Sequence, residues 1–226
     1  MGTDKQDLRI GHRERLRQNF LDGNLAKYEL LELLLSYAMP RKDVRPLARM
    51  LFKKFGGIYP ILSANIKDLM TVEGVGQNIA TFIKVVQKVL LEGYQNEMQQ
   101  ESTILYNKEQ LDNYCLLQLG GKDIEEAHVL YMDIAGRMLK DELHSTGSID
   151  YTDLHIREIV KTALGLDAKF VILVHNHPKP RCNFSIEDTE MTKKIKQALE
   201  LVNITLHDHY LVSGGTVYSM KAEFLI

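Results

Sequence analysis

Phe170-Val171-Ile172-Leu173-Val174-His175-Asn176-His177-Pro178 marks the second half of the chain as built around a buried strand. A short continuous apolar run is the pattern of a strand covered on both faces. His175 and His177 follow it directly. Residues two apart on a strand share a face, so both imidazoles point at one position. Pro178 breaks the ladder and turns the chain, which leaves the strand end open as a cleft. Six residues later comes Ser185-Ile186-Glu187-Asp188. Asp188 falls one turn into the next expected helix and can return an oxygen to the same position. Two neutral imidazoles and one carboxylate, with a fourth place left for water, suit zinc, one ion per chain.

Such a centre needs a proton acceptor. Glu126, just ahead of the expected strand Ala127 to Asp133, is the candidate, although spacing alone does not choose it over Glu125 or Glu142. Ser185 has two readings. Ser185-x-x-Asp188 is a helix-capping pattern that needs no chemistry, and the same hydroxyl can steady an oxyanion. His207-Asp208-His209 is a second His-x-His on an expected strand, either a rival ligand pair or groups hydrogen-bonded behind the first. Cys182 lies in the loop between Pro178 and Ser185, as a plain thiol or an extra ligand.

Around this stretch the chain reads as mixed α/β. A helix is expected over 107–119, strands over 127–133 and 137–145 with a turn at Ile134-Ala135-Gly136, and a helix over 153–164 capped by Thr152 or Asp153. Another helix follows over 185–201, then a hairpin of 204–212 and 216–220 around Ser213-Gly214-Gly215. Residues 8–90 read as all helix: 12–21, a Leu-rich buried helix over 28–37, then 45–55, 66–70 and 77–93. Gln95-Asn96-Glu97-Met98-Gln99-Gln100-Glu101-Ser102 is polar and without apolar periodicity. The expected organisation is therefore a helical domain over 1–94, a linker over 95–103 and an α/β domain over 104–226.

In a chain of 226 residues, 45% hydrophobic and 26% charged, nothing departs from a globular protein. No apolar run reaches the ~18 residues of a membrane span and the N-terminus is not signal-like, so no membrane contact and a cytoplasmic location are expected. Two distant cysteines argue against a disulfide framework. Residues 1–100 carry 15 Lys and Arg against 11 Asp and Glu, whereas the remainder carries 13 against 19. The modest basic excess in front is compatible with an anionic partner.

His175-x-His177-Pro178-x6-Ser185-x2-Asp188 resembles the JAMM motif of the MPN+ metalloprotease family, which includes deubiquitinating isopeptidases. The form His-Asn-His-Pro, with Leu154-His155-Ile156-Arg157-Glu158-Ile159 upstream and Tyr218-Ser219 near the end, looks like its RadC branch. So do Gly11-His12-Arg13-Glu14-Arg15-Leu16-Arg17, Tyr28 to Leu35 and Pro40-Arg41-Lys42-Asp43 in front. The resemblance implies a cytidine-deaminase-like α-β-α JAMM/MPN domain. It also implies zinc on His175, His177 and Asp188, oxyanion help from Ser185, and a glutamate matching Glu126. Family members usually carry small, Pro and Gly residues between Pro178 and Ser185. This chain has Lys179 to Phe184 there, which bears on substrate choice more than on metal binding.

Leu69 to Ile83 resembles a helix-hairpin-helix with Gly74-Val75-Gly76 as the hairpin. Its glycines allow a tight turn and close approach to a phosphate, and the free N–H groups of the next helix, from Gln77, can hold an anionic oxygen. Lys84, with Lys53, Lys54 and Lys88, would add charge, and Glu73 would oppose it. The function expected is a zinc-dependent hydrolase of a peptide or isopeptide bond, brought to DNA by the helical domain for a process such as repair or recombination. A metal-dependent nuclease and a non-catalytic DNA-binding adaptor are the alternatives.

Overall fold

A computed structural model describes residues 4–100, 107–147, 156–179 and 183–226. The chain divides into two compact units, Met1–Gln87 and Lys88–Ile226.

The first unit is helical. Its elements are α1 (Asp4–Leu21), α2 (Lys27–Ala38), α3 (Arg45–Phe55), α4 (Ile58–Ser63), α5 (Ile66–Met70) and the first part of α6 (Gln77–Gln100). Pro46 sits in the first turn of α3, where a missing N–H costs nothing, and Gly56 ends the helix at φ 83°. Asn65 caps α5 by accepting the Asp68 N–H. Leu16, Leu31, Leu35, Leu51, Ile61, Leu69 and Ile83 form the buried centre. α4 was not expected from the sequence. It is a six-residue helix too short to show a 3.6-residue period.

The second unit opens with the rest of α6, which overturns most of the expected linker. Residues 95–100 are helical, and 101–103 lie outside the described residues. Leu91 and Met98 are buried seven residues apart, and Gln95 between them donates to the Tyr114 hydroxyl at 3.1 Å. This stripe is real but too sparse in apolar residues to stand out among the glutamines.

The remaining elements are α7 (Lys108–Leu119), β1 (Glu126–Met132), β2 (Met138–Thr146), α8 (Ile156–Gly165), β3 (Phe170–Asn176), α9 (Ile186–Glu200), β4 (Thr205–Ser213) and β5 (Thr216–Ser219). The cap expected at Thr152 or Asp153 falls outside the described residues. The five strands form one sheet in the order β2-β1-β3-β4-β5. β3 and β4 are parallel, joined through α9, and the other neighbours are antiparallel.

Strand alternation sorts side chains onto two faces. Ala127, Val129, Tyr131, Val171 and Leu173 face α8 and α9, packing on Ile159, Ala163, Ile195 and Leu199. The other face looks toward α7, where Tyr114 donates to Asp141, which in turn pairs with His128 at 2.7 Å. β4 carries one extra residue: Val171 pairs with Leu206, but Ile172 pairs with Asp208. This bulge inverts the alternation beyond His207. Leu206 therefore joins the α8–α9 core, and His209, three residues later and opposite Leu173, turns the same way to meet Thr192 of α9.

Candidate metal centre

β3 runs between two neighbours and ends at Asn176, so His175 and His177 emerge at its carboxyl end, where open α/β sheets bind ligands. His175 is 2% exposed. Its Nε2 lies 3.2 Å from His177 Nε2. Asp188 stands at the third position of α9 and is 1% exposed. Its Oδ1 is 3.4 Å from His175 Nε2, and its Oδ2 is 3.8 Å from His177 Nε2. Around a tetrahedral ion with bonds of about 2.0–2.1 Å, neighbouring donor atoms stand about 3.3 Å apart. The His175–His177 spacing is close to this value, and Asp188 turns a different carboxylate oxygen to each ring, Oδ1 to His175 and Oδ2 to His177.

The acid beside them is Glu125, not Glu126. Glu125 Oε1 lies 3.5 Å from His177 Nε2, and one donor atom each from Glu125, His175 and His177 fall within 4.8 Å of one another. The reason is alternation. Ala127 pairs with His175 and shares its face, so Glu125, two residues earlier, shares it too. Glu126 turns to the α7 face, where it meets Lys122 at 3.0 Å and His128 Nε2 at 3.5 Å. Glu142, the other acid considered, lies on β2 with Lys140 and His144.

Ser185 is the N-cap of α9. It receives the Asp188 N–H at 3.0 Å, and both its N–H and its hydroxyl donate to Asp188 Oδ2 at 2.7 Å. The capping pattern and the ligand pattern are therefore one device: the cap fixes the carboxylate that faces the imidazoles. With its proton on Asp188, Ser185 orients that carboxylate, and steadying an oxyanion would require it to let go. Phe184 lies over the buried rings, 6.1 Å from His175 and 5.5 Å from His209 between centroids. Cys182 lies outside the described residues.

Two site residues were missed in the sequence. Asn176 is buried, and its side chain accepts the Glu126 N–H at 2.8 Å and donates to the Ile124 carbonyl at 3.1 Å. It grips the backbone on both sides of Glu125 just where the β1–β3 ladder stops. An Asn between two histidines two apart on a strand faces away from both, and that is the available signal. Asn176→Ala leaves two buried backbone groups unpaired. It is expected to lower unfolding free energy by about 2–4 kcal/mol in urea titrations, with zinc binding kept. The second missed residue is Thr192, buried on α9 against His209. His207 and His209 do not form a pair, because the bulge parts them. Burial pushes the His175 imidazole down to about 4, against an opposing pull from Asp188, and pushes His209 well below the ordinary range.

In the helical unit, α5 and α6 are joined by a turn in which Gly74 has φ 90°, and a Cβ at Gly76 would meet nothing within 4 Å. Val75 is buried and its N–H is bonded to Val72, so it offers nothing to a phosphate. Gln77 is exposed, with its amide 3.4 Å from Thr81. Lys84 is also corrected. Its Nζ donates to the carbonyls of Leu62, Ser63 and Ala64 at 3.2, 3.1 and 3.0 Å, closing the end of α4. Lys54 likewise bonds the Asp68 carbonyl at 3.1 Å, and Lys88 pairs with Glu92 at 2.6 Å. Lys84→Met keeps the aliphatic stem but strips those carbonyls. A loss of about 1–3 kcal/mol in urea unfolding is expected.

A family model for the RadC-like JAB domain matches residues 105–225, the segment that carries the sheet and its histidines. The chain belongs to the RadC family. It is similar to a UPF0758 protein of Fusobacterium nucleatum, 33% identical over 225 residues, covering 96% of this chain and 97% of the relative. It is also similar to a UPF0758 protein of Ruegeria pomeroyi, 35% identical over 215 residues, covering 94% and 96%. The likeness spans both units, so the RadC-like domain and the helices in front of it recur together. No helix among the described residues is long and apolar enough to cross a membrane.

Proposed function

We propose that this RadC-family chain is a zinc-dependent hydrolase that cuts an amide, peptide or isopeptide, at the end of β3. One observation carries the reading: His175, His177 and Asp188 converge at 3.2–3.8 Å with Glu125 beside them. When bound, the ion would supply Lewis acidity, polarising a carbonyl and acidifying water. The chain's own residues do the rest. Glu125, with its side chain 23% exposed, is placed to take a proton from water and return it to the leaving amine. Ser185 holds Asp188 in place, Asn176 holds Glu125, and Phe184 keeps water from the buried rings.

The α-β-α layering supports the cytidine-deaminase-like reading of the second unit. For the helical unit we propose contact with DNA backbone at the α5–α6 turn, supported by the positive φ of Gly74 and the open approach at Gly76. Gln77 flanks this approach, and Lys84 and Val75 take no part. A cytoplasmic location and a role in a DNA process complete the proposal.

The experiment is metal analysis of the purified protein, followed by parallel cleavage assays on peptide-linked, isopeptide-linked and nucleic-acid substrates. Amide cleavage by the zinc-loaded protein supports the reading. Absence of bound zinc, or Glu125-dependent cleavage of nucleic acid alone, sinks it.

A further inference from the structure

Behind the centre lies a line of buried polar groups that no ligand role explains. Thr192 Oγ1 is 2.6 Å from the Asp188 carbonyl oxygen and 2.6 Å from His209 Nδ1. His209 Nε2 is 2.8 Å from His175 Nδ1. His175 Nε2, on the far side of that ring, faces Asp188 and His177. Thr192, His209 and His175 are all buried, so each proton in the line is shared with protein alone.

Proton counting sets the direction. A carbonyl only accepts, and a hydroxyl has one proton. The Thr192 proton therefore lies on the Asp188 carbonyl, and Thr192 Oγ1 accepts from His209 Nδ1–H. A neutral His209 then has only a lone pair at Nε2, so the proton between the two rings belongs to His175 Nδ1. That leaves His175 Nε2 bare, aimed where the donors converge. Run in the opposite sense, the line would put a proton on His175 Nε2 and block it as a ligand.

We infer that Thr192 and His209 are positioning residues, a buried relay that locks His175 in its Nδ1–H tautomer and so presents the Nε2 lone pair to the metal. α9 thus serves the centre twice: Asp188 enters it as a ligand, and Thr192, one turn on, sets the tautomer of another. The bulge in β4 makes this possible by turning His209 onto the His175 face. The inference rests on the hydrolase reading for the ligand role of His175, but the tautomer itself does not depend on it.

The test uses the full chain in two steps. Long-range proton–nitrogen NMR spectra of the metal-free protein are expected to show His175 protonated at Nδ1 and bare at Nε2. His175 protonated at Nε2 would overturn the relay, with no variant needed. Zinc affinity is then measured by competition with a chromophoric chelator. Thr192→Val is expected to weaken zinc binding about 10–100-fold and to shift the His175 nitrogen signals toward a tautomer mixture. Thr192→Ser, which keeps the hydroxyl, is expected to restore both. A folded Thr192→Val protein with unchanged affinity and unchanged His175 signals overturns the inference. A wild-type protein with the expected tautomer that takes up no zinc upholds the relay and overturns the hydrolase reading instead.

Discussion

Glu125→Gln is expected to keep about one zinc per chain while lowering amide hydrolysis by about 100–10,000-fold, the usual worth of a positioned general base. The amide has nearly the same shape as the carboxylate but cannot accept the proton. Glu126→Gln is the matched control. Its side chain sits on the opposite face of the sheet beside Lys122 and His128, so turnover is expected to stay within a few-fold of the parent. The pair separates a chemical role from a general need for negative charge at the start of β1. Equal losses in both variants would mean that the two strand faces are not functionally distinct, and the acid assignment would fall.

The second large effect is expected at the metal itself. His177→Ala removes one of the three proposed protein donors, and its ring is the more exposed of the two imidazoles, 12% against 2%. Truncating it should therefore disturb packing little. Structural zinc sites gain about 10–16 kcal/mol from four ligands, so one ligand is worth about 3 kcal/mol, or about 100-fold in affinity. Zinc per chain by elemental analysis, after dialysis against a weak chelator, is expected to fall from about one to near zero. Thermal unfolding without metal is expected to match the parent. Full zinc content in the variant would show that His177 is not a ligand.

Much of this centre was legible in the sequence because its parts are local. His175, His177 and Asp188 lie on one strand end and the first turn of the following helix, so chain spacing alone brings them near one another. Glu125 is different. Its place depends on which residue of β1 pairs with His175, and register is a property of two strands, not of one. An adjacent pair of acids made an error of a single position invisible. Lys84 was misread for a related reason: a lysine near a hairpin looks like a phosphate ligand until the chain brings three carbonyls to it from about twenty residues away. The helices expected over 45–55, 66–70 and 107–119 lie within a residue of α3, α5 and α7, the first of them closed by Gly56. The linker was misread, because α6 keeps only a few apolar residues beyond Gly93.

The single inserted residue in β4 acts on the strand as a frameshift acts on a message. Upstream of it odd and even carry one meaning, and downstream they trade places. Histidines counted two apart, which announce a chelating pair on β3, announce nothing on β4. Whoever transfers ligand roles between RadC-family chains by matching His-x-His patterns should therefore anchor the comparison downstream of that insertion, at the residues facing Leu173 and His175. Deleting His207 would remove the bulge and leave every later side chain on its present face, whereas deleting a residue downstream of it would ask all the side chains that follow to change sides at once.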